Sequence, residues 1–128
     1  MTRLALAIAA VILAASLANA QFDEPKYDAG AVSALVDRVH TDLNHAYGMY
    51  HFSNDDRDRL NHAEKELRDF TGKWEHGRFD KGQLNGAIDS VQRVLDKNRI
   101  PPEARDAITD DVSQLRKMRE AYERHQIQ

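Results

Sequence analysis

The chain has 128 residues, no cysteine, 18 Lys and Arg against 21 Asp and Glu, and a net charge of −3 with histidine neutral. The absence of cysteine excludes disulfides, covalent c-type haem and a lipid-anchored amino terminus. The mild acidity argues against a partner with a dense negative surface, nucleic acid or anionic membrane, because either needs a basic face.

Residues 1–20 have the organisation of a cleaved signal peptide. Arg3 and the free amino group form a positive start, Leu4–Leu17 carries no charge, and Ala18-Asn19-Ala20 supplies the small-x-small cleavage pattern at Ala18 and Ala20. Cleavage after Ala20 makes Gln21 the new amino terminus. Taking 20 residues from 128 leaves 108, and Arg3 goes with them, so 17 basic residues face 21 acidic ones. No second apolar run follows and no Asn-x-Ser/Thr acceptor occurs, so the expected product is periplasmic or secreted, without stable membrane insertion. A remainder of this size can bury one core.

Residues 21–28 (QFDEPKYD) combine a proline with mixed charges and no periodicity, and read as a flexible leader. The first helix is expected over 29–50, where Val32, Leu35, Val36, Val39, Leu43, Ala46, Tyr47 and Tyr50 recur at steps that put them on one face. Ser53 is a fitting N-cap for a second helix over 54–75, with Asp56 three residues on. Its core stripe is Leu60, Ala63, Leu67, Phe70 and Trp74, and Gly77 suits a left-handed ending. Asp80 opens a third helix over 81–97, with Gln83 placed to reach back as in a capping box, and Phe79 and Leu84 placed as a hydrophobic staple. Leu84, Ala87, Ile88, Val91, Val94 and Leu95 form its stripe.

Pro102 fits the first turn of a fourth helix over 102–125, with a core stripe of Ala104, Ile108, Val112, Leu115, Met118 or Arg119, and Tyr122. Four amphipathic helices joined by short connections predict an all-α, up-down-up-down antiparallel four-helix bundle over 29–128; the alternative is two helical hairpins that dimerise. The tetrapeptide Leu43-Asn44-His45-Ala46 returns as Leu60-Asn61-His62-Ala63 and more faintly as Leu84-Asn85-Gly86-Ala87, which reads as a repeated packing layer or as chance.

Six histidines raise the question of metal. Matching helix heights across the first hairpin sets His40 near His62, with Asp37 and Glu66 about one turn away, a donor set for a divalent transition metal. Against it stand the absence of any Glu-x-x-His or His-Glu-x-x-His pair and the outward placement of His62, two positions past a core leucine. Met49 and Met118 read as packing residues rather than haem ligands. None of Ser33, Ser53, Ser90 and Ser113 lies in a Gly-x-Ser-x-Gly elbow, and the adjacent carboxylates Asp55/Asp56 and Asp110/Asp111 read as solvated faces. The basic cluster Arg116, Lys117 and Arg119 reads as a helix end answering its own dipole.

The expectation is therefore a non-enzymatic module with no resident cofactor, working by contact with a protein partner or a second copy of itself. Tyr47, Trp74 and Phe79 are the aromatic residues nominated for that contact. A metal-binding or metal-sensing bundle is the alternative.

Overall fold

A computed structural model describes residues 27–127; Ala18, Ala20 and the rest of the proposed signal peptide lie outside them. The described chain is four helices: α1 Ala29–Met49, α2 Asn54–Glu75, α3 Lys81–Lys97 and α4 Pro102–Glu123. Among the described residues there is no strand, only one isolated parallel bridge between Tyr27 and Ile127.

Each helix starts where a side chain or a proline disposes of its unpaired first-turn amides. Asp28, extended at φ −93° and ψ −179°, accepts from the Ala31 amide at 2.7 Å. The leader thus ends in a helix cap, a role its irregular composition concealed. Ser53 and Asp56 form a reciprocal capping box: the Asp56 amide donates to Ser53 Oγ at 3.1 Å and the Ser53 amide to Asp56 Oδ2 at 3.4 Å. Asp80 accepts from the Gln83 amide at 3.0 Å. The Gln83 side chain, expected to return that favour, instead crosses to α2 and donates to Glu66 Oε2 at 2.5 Å. Pro102 begins α4 without a side-chain cap.

The helices end by left-handed turns or by extension. At Gly77 (φ +80°) the Gly77 and Arg78 amides donate back to the carbonyls of Trp74 and Lys73, which is the Schellman arrangement. The same pattern closes α4, where His125 takes the left-handed position at φ +58° and the His125 and Gln126 amides reach Tyr122 and Ala121. α4 thus stops at Glu123, short of the expected 125, and α1 stops at Met49 because Tyr50 is extended at φ −152°.

One apolar cluster takes side chains from all four helices, including the wholly buried Val39, Leu43, Leu60, Leu67, Phe70, Leu84, Ile88, Ile108, Leu115 and Met118. Each such leucine, isoleucine or phenylalanine contributes roughly 1.5–3 kcal/mol of transfer free energy. The Leu and Ala of each tetrapeptide copy face the core: Leu43, Ala46, Leu60, Ala63, Leu84 and Ala87 have no exposed surface. In α4, Ala121 rather than Tyr122 completes the stripe; Tyr122 is 37% exposed. Leu35, Tyr47, Tyr50 and Trp74 are only partly buried against the cluster.

α1 packs on α2, α2 on α3, α3 on α4 and α4 back on α1, while the diagonal pairs make no close backbone approach. In the α1–α2 and α3–α4 seams the partners descend on one helix as they climb on the other. Ala29, His40 and Tyr47 of α1 meet Trp74, Glu64 and Asn61 of α2. Lys81, Asn85 and Gln92 of α3 meet Glu123, Arg119 and Arg116 of α4. At one end a buried polar knot ties three segments together. Asn98, just past α3, accepts from Arg59 Nε at 2.7 Å and donates to the Asp56 carbonyl at 3.1 Å, while its own carbonyl accepts from Arg105.

Candidate interaction site

The opposite end of the bundle carries an aromatic cleft. The turn after Gly77 holds Phe79 between α2 and α3, and its anchor is Asp80. That carboxylate accepts from Lys73 Nζ at 2.8 Å and caps α3, and these two donors, the Lys73 ammonium first and the Gln83 amide second, hold it below the usual carboxylate range. Phe79 meets the core at Phe70 edge to face (5.2 Å, 86°) and meets Trp74 in the same way (5.8 Å, 86°). On its outer side it stacks on Tyr122, with centroids 4.2 Å apart and planes 15° from parallel.

Trp74 and Ile127 complete the walls. The Trp74 indole donates to the Ala29 carbonyl at 3.3 Å, which seats the start of α1 against the end of α2. The left-handed turn at His125 brings Ile127 beside Tyr27, so both chain segments converge here. The result is an open cleft of about 750 Å³ lined by Ala29, Trp74, Gly77, Phe79, Tyr122 and Ile127, with Glu75 and Arg78 at its rim. It offers ring faces with one charge of each sign beside them. Aromatic surface held on capped turns loses little conformational freedom on binding.

Of the three nominated aromatic residues, the structure brings Trp74 and Phe79 together and leaves Tyr47 elsewhere. Tyr47 lies near the other end of the α1–α2 hairpin, edge-on to Phe52 (5.2 Å), with its hydroxyl donating to Asn61 at 2.7 Å. Tyr122, assigned to the core from its spacing, joins the cleft instead. Counting four from Met118 sets position 122 beside the stripe, facing the Phe79 turn, whereas counting three gives the buried Ala121.

The four residues nominated for metal are not brought together. His40 Nδ1 pairs with Glu64 of α2, a buried carboxylate the sequence reading did not single out. His62 is mostly exposed, with Nε2 3.7 Å from Glu66 Oε1, and the other Glu66 oxygen is held by Gln83. Asp37 is exposed. Among the described residues no group of three His, Cys, Asp or Glu side chains is placed to hold a metal ion. The reason is a half-turn of register: crossing from α1, His40 meets position 64 rather than 62.

A second polar feature also escaped the sequence. Asp111, read as solvated, is wholly buried between α4 and α1. Arg38 Nε donates to its Oδ1 at 2.9 Å, while Arg38 Nη2 donates to Asp110 at 2.9 Å. Burial first, and then the neighbouring Asp42 carboxyl, push the Asp111 carboxyl up to about 7 against the pull of Arg38. The basic cluster on α4 serves the α3–α4 seam, with Arg119 donating to Asn85 and Arg116 to Gln92.

No protein-family model, curated protein or solved structure matches this chain, so the cleft and the buried carboxyl must be read on their own chemistry.

Proposed function

We propose that this is an exported, non-enzymatic module of the periplasm or extracellular space. In this reading it acts without a resident cofactor, holding a protein segment, from another chain or from a second copy, in the cleft of Trp74, Phe79 and Tyr122. The observation that carries the reading is the Phe79–Tyr122 stack. Tyr122 is a large apolar side chain left 37% exposed, and it sits on a ring joined through Phe79 to the core. Tyrosine and tryptophan dominate the energetic centres of protein interfaces because they bury much area at low entropic cost. A segment offering an apolar or aromatic side chain, flanked by charge to meet Glu75 and Arg78, matches the lining.

Export rests on Arg3, the uncharged run Leu4–Leu17 and the Ala18-x-Ala20 pattern. None of the described helices is long and apolar enough to cross a membrane. The opposed order of partners in the α1–α2 and α3–α4 seams supports the up-down-up-down bundle.

The test compares native co-purification of the exported protein with that of its Tyr122→Ala variant. The reading expects an amino terminus at Gln21, a bound protein or a self-associated species by light scattering, and loss of that species in the variant while the melting temperature changes little. A monomer that co-purifies with nothing, or a complex indifferent to position 122, would defeat it.

A further inference from the structure

The α1–α4 seam contains one cation and three carboxyl groups. Arg38 divides its guanidinium between Asp110 and Asp111, using Nε for one and Nη2 for the other. Asp42 lies one turn along α1, and after burial it is the neighbour that pushes the Asp111 carboxyl up. Asp111 has no exposed surface, and its second oxygen, Oδ2, is buried without any donor. Two neighbouring carboxylates repel, and a buried acceptor without a donor costs free energy. A single proton answers both difficulties: placed between the two groups, it turns a repulsion into an O–H···O bond.

We propose that the α1–α4 seam is a proton-operated joint, closed when Asp42 and Asp111 share one proton and loosened when that proton leaves.

The surroundings concentrate the effect on this pair. From α1, Arg38 and Asp42 face Asp111, while Asp37 is exposed and His40 is turned to Glu64 on α2. On α4 itself Asp110 shares the Arg38 guanidinium. α3, the other helix packed on α4, sends its charges elsewhere: Lys81 to Glu123 and Asp96 to Gln92, with Asp89, Arg93 and Lys97 exposed. α2 makes no close backbone approach to α4.

The direction of the response follows from proton counting. An Asp111 carboxyl raised to about 7 keeps a proton in the folded chain that the unfolded chain, with its ordinary value of 3.8, has released. Stability contributed by that proton is complete at low pH, falls as pH climbs, and is gone above about 7. Carboxylates held low, such as Asp80 and Glu123, act in the opposite sense, but only in acid below the ordinary carboxylate range. The window from pH 5 to 8 therefore isolates the joint from them.

The joint is independent of the cleft and is tested on the exported protein without any partner. Carbon-13 NMR of the side-chain carboxyls, titrated from pH 3 to 9, should show Asp111 changing near neutrality. Urea unfolding should show the wild-type folding constant dropping at least tenfold between pH 5 and 8. D111N keeps an oxygen for Arg38 and puts an N–H where the shared proton stood. Most of that drop should vanish in D111N, and the difference between the two proteins cancels every contribution common to both. D42N should lower the Asp111 midpoint. An Asp111 carboxyl titrating at an ordinary aspartate value, or a D111N variant that keeps the wild-type pH profile, overturns the proposal. Should D111N fail to fold, the wild-type carboxyl titration decides alone.

Discussion

Replacing Asn98 with alanine removes the polar knot at the closed end of the bundle. Its side chain is 3% exposed and makes two well-formed bonds: it accepts from Arg59 Nε at 2.7 Å and donates to the Asp56 carbonyl at 3.1 Å. The contact with the Tyr50 hydroxyl, at 3.5 Å, adds little. The charge-assisted bond contributes about 1.5–3 kcal/mol and the neutral one about 1 kcal/mol, and alanine leaves both former partners with a vacancy. The Arg59 guanidinium keeps Asp56 Oδ1 at 2.7 Å, which offsets part of the loss. The expected destabilisation is therefore about 3 kcal/mol, or roughly 10–20 °C in melting temperature for a domain of this size. Urea unfolding followed by helical circular dichroism at pH 6 measures it. Asn98→Asp, which keeps the acceptor for Arg59 but loses the donor to Asp56, should cost less than alanine does. A loss below about 1 kcal/mol for Asn98→Ala would show that water satisfies these groups equally well and would refute the knot as a fastening of the helix ends.

The two left-handed helix endings give a reciprocal pair of predictions. Gly77→Ala meets no atom within 4 Å, so its cost is conformational alone, about 1 kcal/mol, whereas His125→Gly should stabilise by a similar amount; equal and like-signed changes in urea midpoint would contradict the backbone argument. His40→Ala deprives the buried Glu64 of its partner and should destabilise by about 2–3 kcal/mol at pH 6, with Glu64→Gln in the same background restoring part of it in a double-mutant cycle. Additivity of the two changes would argue that the pair is not coupled.

Much of the fold was legible because caps and periodicity agree. Ser53, Asp80 and Pro102 mark three helix starts within the sequence itself, and the 3–4 steps of α2 and α3 name nearly every buried position. What escaped was polar residues on apolar stripes. Position 111 continues the series Ala104, Ile108, Leu115 and Met118 at the same spacing, and position 64 lies four residues after Leu60. Periodicity puts both inside; residue type argued them outside, and the apolar packing on either side prevailed. Each then recruited a partner from α1, Arg38 for Asp111 and His40 for Glu64. The metal set failed by the same half-turn that makes the Glu64 pair, since cross-helix register depends on the Tyr50–Ser53 connection rather than on either helix alone. The cleft was half legible: Trp74 and Phe79 stand next to a helix-ending glycine, but Tyr122 reaches them only because α4 returns to that end of the bundle.

Site-specific photo-crosslinking tests the cleft most directly. A photoreactive phenylalanine analogue at position 122 of the exported protein should capture a protein, or a second copy at twice the mass, under native conditions. The same probe at Asp89, exposed on α3, should not, and Trp74→Ala in combination with the position 122 probe should reduce capture by tenfold or more. Capture that is equal at 89 and 122, or absent at both, would contradict the assignment of the Trp74–Phe79–Tyr122 cleft as the contact surface.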